Sequence, residues 1–195
     1  MNRLTTVEKN GELIASYTYN YLGMRVKKES PQATEDGDVI ATYYMFSLGG
    51  RVLYEEDEVI GQDETDYRQY VYVLGRHFAR EDGQLDAGGS VIDGETERFY
   101  MHTDHLGSVV AVTNEAGEVV WDNEYTPFGD PAEPDKEGTG GYDGKFNFTS
   151  KEMDEDTGLY YFNARWHDPD TGRFISLDPI KWRFYRPPCS CKCMG

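Results

Sequence analysis

Glycine and tyrosine return along this chain on a fixed ladder. Gly11, Tyr19 and Gly23 are followed by Gly37, Met45 and Gly49, and then by Gly117, Tyr125 and Gly129. Steps of eight and then four positions leave room for one strand and one turn. The first two copies lie 26 residues apart, a period that marks architectures in which one supersecondary unit stacks on the next. YTYNYLGMRVKKE and TYYMFSLGGRVLYEE share a Tyr-rich strand, a Leu-Gly turn and an Arg-Val pair opening the return strand. Each unit predicts one hairpin.

Local signals agree. Residues 4–29 read as three strands, with Asn10-Gly11 at the first turn, because a type I′ turn needs positive φ at both central positions. Residues 109–113, a turn over 114–117 and residues 118–125 predict another hairpin. No stretch carries a helical period. Between hairpins, residues 30–38, 55–66, 84–97 and 130–144 are rich in acidic or small residues and are expected as loops. The last of these has no apolar periodicity and is expected as a mobile excursion.

The stretch 145–179 contains Asp-x-Asp-Thr-Gly twice, at Asp154–Gly158 and Asp168–Gly172. Asp bonds its own backbone two residues on, Pro169 presets φ, and Gly accepts φ > 0, so each copy should end one strand and start another. Between them, strict alternation puts Tyr160, Phe162, Ala164 and Trp166 on one face of a continuous strand. Tyr161, Asn163, Arg165 and His167 take the other face.

Composition narrows the function. The chain has 36 acidic residues against 19 basic ones, a formal charge of −17, which repels phosphate backbones and anionic lipid surfaces. Nucleic acid is therefore not an expected partner. No apolar run approaches the roughly 20 residues of a membrane span, so membrane insertion is not expected, and no export signal is visible in this chain. The three Cys residues, Cys189, Cys191 and Cys193, crowd the end. The body of the chain is then indifferent to redox compartment.

The block YMHTDHLGSVVAVTNEAGEVVWDNEYTPFGD, followed by KFNFTSKEMDEDTGLYYFNARWHDPDTGRFISLDP, resembles the RHS repeat-associated core domain. The Tyr-rich units upstream resemble the YD repeats of the same proteins. The resemblance covers about residues 10–180 and implies an all-β fold of antiparallel hairpin repeats, part of a curved sheet or cocoon-like shell. It divides the chain into YD-type repeats (1–98), core (99–180) and an unrelated tail (181–195). It implies a structural shell fragment whose partners are the rest of an RHS shell or a C-terminal toxin, and a secreted or cell-surface location. A spiral sheet hides its edges, whereas an isolated strip would leave two edges and one apolar face open.

The resemblance also implies self-cleavage by aspartates at an Asp-Pro-x-Gly-type sequence, for which Asp178, before Pro179, is the matching position. From Lys181 onward the chain has four basic residues and no acidic one, a composition break of the kind a shifted reading frame produces. The expectation is a shell fragment that lacks the effector and the complete cleavage motif, and is not an enzyme. The alternative is a carbohydrate-binding or cell-surface module, in which exposed Tyr and Trp beside carboxylates stack on sugar rings.

Other candidates carry less. His102 and Asp104 share a strand face while His105 points away, so a metal site would need the strand to bend. The loop at Asp168–Gly172 fails the calcium pattern, with Gly172 and Pro179 at ligand positions. Three thiolates at Cys189, Cys191 and Cys193 leave a zinc site one ligand short. Asn147-Phe148-Thr149 matches a glycosylation acceptor. No metal and no cofactor are expected.

Overall fold

A computed structural model describes residues 3–31, 38–63, 65–132 and 138–178. The described residues form two antiparallel sheets and one short 3₁₀ turn (Phe148–Ser150). The larger sheet is built from β1 (Thr6–Lys9), β2 (Glu12–Tyr19), β3 (Arg25–Ser30), β4 (Ile40–Phe46), β5 (Val52–Val59), β6 (Thr65–Val73), β7 (Arg76–Leu85), β8 (Glu97–Thr103), β9 (Val109–Thr113) and β10 (Val119–Asp122). Every strand pairs with its neighbours in sequence, so the sheet is an open ten-stranded meander. The smaller sheet follows the same rule through β11 (Glu152–Asp154), β12 (Leu159–Tyr161), β13 (Trp166–Asp168) and β14 (Arg173–Phe174). The all-β expectation is borne out.

The repeat has a definite structural form. Six turns share one hydrogen-bond pattern, starting at Asn20, Ser47, Asp86, Asp104, Asn114 and Thr126. In each, the first residue's N–H donates to the fifth residue's carbonyl, and the fourth residue, a glycine, donates back to the first. The side-chain oxygen of the first residue also accepts from the fifth N–H, at 2.8 to 3.1 Å. The fourth residue has positive φ in all six, from 75° at Gly50 and Gly89 to 92° at Gly129, which glycine adopts without steric cost. The turn signal is thus a polar residue three positions before a glycine.

This corrects the ladder by one residue in its second copy. Gly50, with Ser47 three positions earlier, is the turn glycine there, and Gly49 is not. Gly37 lies outside the described residues. In four successive hairpins a bulge follows the tip, pairing Tyr19 with Arg25, Phe46 with Val52, Tyr72 with His77, and Thr103 with Val109. Arg25 is therefore equivalent to Val52, not to Arg51 of the matching Arg-Val pair. All four return-strand residues are buried.

Residues 142–166 cover one face of the large sheet. Tyr142 completes the cluster of Phe99, Met101, Val112 and Trp121, Phe146 joins Tyr44, Val52 and Tyr70, and Tyr161 with Trp166 closes over Ala15 and Tyr17. The face that an isolated strip would leave open is thus packed.

Three other expectations change. The aromatic stretch between the twin turns is a hairpin: Phe162 N–H donates to the Arg165 carbonyl at 2.9 Å, and Asn163 turns the chain at φ 59°, which Asn tolerates better than most residues. The residues Glu55–Val59, expected as acidic loop, lie within β5. Tyr142, expected in a mobile excursion, is 2% exposed.

Candidate functional site: the charged seam between the sheets

The two Asp-x-Asp-Thr-Gly turns set up the small sheet. At the first, Thr157 and Gly158 N–H donate to the Asp154 carbonyl, and at the second Asp168 Oδ1 accepts from Asp170 and Thr171 N–H. Strand alternation in β11 then puts Glu152 and Asp154 on one side, both buried, with Met153 opposite. That side faces the large sheet.

Arg25 is the centre of what they meet. Its side chain is fully buried, and its guanidinium pairs with Glu152 and, at 3.8 Å, with Asp154. It also lies over the rings of Tyr44 at 4.1 Å and Tyr161 at 4.5 Å, a favourable arrangement for a desolvated cation. Tyr17 donates its hydroxyl to Asp154 at 2.9 Å and Tyr44 to Glu152 at 3.0 Å. Lys28 bridges Asp154 at 3.1 Å and Asp156 at 2.7 Å. Tyr17 and Trp166 rings pack at 4.8 Å between centroids. Burial, with Asp154 beside it, pushes the Tyr17 phenol well above its ordinary range, so it stays protonated and donates to Asp154.

A second group of charges lies further along the seam. Asp143 accepts from Arg80 at 2.5 Å and from Arg68 at 3.2 Å. Lys145 reaches Glu55 at 2.8 Å, and Arg68 also pairs with Asp57. Burial raises the Asp143 carboxyl, but Arg80, Arg68 and Lys145 outweigh it and hold Asp143 well below the carboxylate range. Asp82 differs: burial dominates and pushes it up to about 6, although Arg80 lies 2.5 Å away. Arg80 is shared with Asp143, so its pull on Asp82 does not offset burial. His77 has both ring nitrogens without partners, and burial lowers it to about 3. It is a neutral ring packed against Tyr70 and Phe146.

The chemistry of this seam is cohesion. Charges on the large sheet and opposite charges on the following segment neutralise each other, and a buried pair of this kind resists separation because either partner alone would be an uncompensated charge. Sequence reading did not single out Arg25, Arg80, Glu152 or Asp143. The available signal was Arg25 and Arg80 at positions where strand alternation points inward.

The residues flagged from sequence lie elsewhere. Asp178 follows β14, with Oδ2 3.4 Å from Arg165 Nη2; Arg165 in turn lies 3.7 Å from the Phe174 ring centroid. Pro179 and the tail with Cys189, Cys191 and Cys193 lie outside the described residues. Asp104 opens one of the six turns, its Oδ1 accepting from Leu106 and Ser108 N–H at 2.9 and 2.8 Å. His102 Nε2 lies 3.1 Å from Thr113 Oγ1, and His105 sits exposed in the turn. Among the described residues no three His, Cys, Asp or Glu side chains are placed to hold one metal ion. Asn147 is 8% exposed, a poor acceptor for a bulky glycan. Trp121 and Trp166 are buried at 3% and 4%, so neither is part of an exposed aromatic strip.

Comparison with known proteins gives a consistent picture. A family model described as Teneurin YD-shell matches residues 86–187. Double-stranded DNA deaminase toxin A of Burkholderia cenocepacia is 41% identical over 83 residues, 42% of this chain and 6% of that protein. Toxin protein Tse5 of Pseudomonas aeruginosa is 31% identical over 110 residues, 55% of this chain and 8% of that protein. The chain spans only a small part of either relative. Among solved structures, TcdB2-TccC3 without its hypervariable C-terminal region superimposes with a TM-score of 0.64 at 21% identity. That match covers 91% of this chain and 8% of the other, and it shows a shared fold.

Proposed function

The chain belongs to the Teneurin YD-shell family, and from that premise we propose that it is a wall segment of an RHS-type shell that associates with the rest of such a shell or with a toxin. Family membership carries the shell-like, structural part of this reading. The observation that supports the remainder is the seam: residues 142–178 are locked onto the ten-stranded sheet through buried ion pairs such as Arg25 with Glu152. A wall must resist opening, and this arrangement serves that need. The ten strands up to β10 supply the wall, and residues 142–166 close over it.

The test is a graft of residues 86–178 into the matching segment of Tse5. The expected result is a chimera that keeps the protease resistance of the parent shell. A chimera that is digested like an unfolded chain, while the 195-residue chain alone resists, overturns the reading.

In this reading the chain performs no chemistry, and Asp178 secures the end of the small sheet against Arg165. Mass spectrometry of the purified chain after prolonged incubation is expected to show the full mass, with Asp178→Ala indistinguishable. A discrete fragment lost in Asp178→Ala would restore Asp178 as a cleavage residue. The carbohydrate-binding alternative would rest on exposed Tyr such as Tyr21 and Tyr43, since Trp121 and Trp166 are buried.

A further inference from the structure

Beyond the seam, a cavity of about 210 Å³ opens between the tips of the β4–β5 and β6–β7 hairpins and the segment around Thr149. Its charged lining is Arg51, Arg76 and Lys151, with Glu152 as the sole acidic residue. Glu152 is already engaged on both oxygens, by Arg25 and by Tyr44. None of the three cations has an ion-pair partner among the described residues. Arg51 donates to the Gly75 carbonyl at 3.2 Å, Arg76 to the Asp104 carbonyl at 2.9 Å, and Lys151 lies over the Phe162 ring at 5.7 Å. In a chain of net charge −17, three cations around one cavity whose single carboxylate is already engaged are an unusual arrangement.

Two further features point the same way. Thr149 lines the cavity, and its Oγ1 is shut off from solvent without a hydrogen-bond partner. Thr149 and Ser150 are both held at φ 51°, a conformation that costs a β-branched residue about 1 to 3 kcal/mol and persists only where surroundings impose it. Here Ser108 Oγ accepts from Thr149 N–H at 3.1 Å and Ser150 donates to the Gly107 carbonyl at 2.6 Å. Burial and the adjacent Arg51 lower the Lys151 ammonium, as expected of a cation lacking its counter-charge.

We propose that this cavity is a binding site for a single oxyanion group, a phosphate or a carboxylate, held by Arg51, Arg76 and Lys151 with the Thr149 hydroxyl as an added donor. Guanidinium forks match the oxygens of either group. The volume lies below the roughly 300 Å³ at which small-molecule pockets begin, so it suits one charged group rather than a nucleotide or a sugar. The source is either a free anion or an acidic side chain of a neighbouring protein segment. The proposal stands independently of the shell reading.

The test is calorimetric titration of the purified chain with inorganic phosphate, with acetate and with a short Glu-containing peptide at constant ionic strength. Saturable binding is expected, weakened by about tenfold or more in Arg51→Gln and in Lys151→Gln, with Arg51→Lys intermediate. Phosphate as the tightest ligand identifies a free anion, and the peptide as the tightest identifies a protein carboxylate. If a variant fails to fold, NMR titration of Lys151 in the unaltered chain decides: its ammonium should titrate at higher pH once phosphate is bound. No saturable binding by any of the three, equal binding by the folded variants, or an unmoved Lys151 overturns the proposal.

Discussion

Arg25 on the ten-stranded sheet is ion-paired with Glu152 on the four-stranded sheet, 127 residues further along the chain, and the two side chains are 0% and 3% exposed. Arg25 takes the position that Val52, His77 and Val109 fill in the other hairpins. A repeat position built for an apolar side chain thus carries the cation that joins the sheets. Removing one partner of a buried pair leaves an uncompensated charge, worth about 3 to 5 kcal/mol, whereas replacing both is far milder. Glu152→Gln is therefore expected to lower the urea midpoint strongly, and Arg25→Met combined with Glu152→Gln to recover part of the loss. Additive losses in the double variant would contradict a direct pairing.

Asp82 makes stability depend on pH in the opposite sense from an ordinary salt-bridged carboxylate. Its folded-state value of about 6 lies above the ordinary 3.8, so the folded chain holds a proton that the unfolded chain has released. Its favourable contribution is full below about pH 4 and is lost as pH rises through about 6, an effect of at most about 3 kcal/mol. Asp143, held low, contributes above the ordinary value and is lost on acidification. Asp82→Asn should flatten the fall in unfolding free energy between pH 4 and 6 while leaving the acid limb in place, as read from denaturation curves across that range.

Asp104 organises a turn. Asp104→Ala removes acceptors for two backbone N–H groups and is expected to cost about 1 to 2 kcal/mol, with Asp104→Asn largely neutral. His105→Ala should stay within about 0.5 kcal/mol. Thermal unfolding is expected to be the same with and without a chelator; a drop on chelation would point to a bound metal.

Two glycines separate backbone strain from steric conflict. Gly144 and Gly158 have nearly equal φ, 67° and 68°. A Cβ at Gly144 would lie 2.9 Å from Trp121 Nε1, whereas at Gly158 nothing lies within 4 Å. Gly158→Ala should cost about 1 to 2 kcal/mol from the left-handed conformation alone. Gly144→Ala should cost more, because Trp121 is buried and cannot move aside, and it should alter the near-ultraviolet circular dichroism. Equal losses would contradict the packing of residue 144 against Trp121.

Much of the fold was legible in local chemistry. Asn10 and Gly11, at φ 56° and 85°, form the turn expected from that dipeptide, and both Asp-x-Asp-Thr-Gly segments reverse the chain between strands. What was not legible depended on register. Counting from Gly49 instead of Gly50 equates Arg25 with Arg51, and a one-residue slip moves a side chain to the opposite face. The bulge after four of the tips, which adds one unpaired residue to the return strand, leaves no compositional mark. The seam was hidden for a different reason: Asp143, Glu152 and Asp154 are three of 36 acidic residues, and nothing in their spacing says which ones find a cation.

By itself the sequence determined the strand and turn series and the family, because glycine conformation, Asx turns and alternation act within a few residues. Only the tertiary structure decided that residues 142–166 cover the large sheet and that Arg25, Arg68, Arg80 and Lys145 are buried against carboxylates. It also decided that Arg51, Arg76 and Lys151 share a cavity whose one carboxylate, Glu152, is already engaged by Arg25 and Tyr44. Those outcomes follow from contacts between distant segments, where desolvation makes each charge depend on its partner's position.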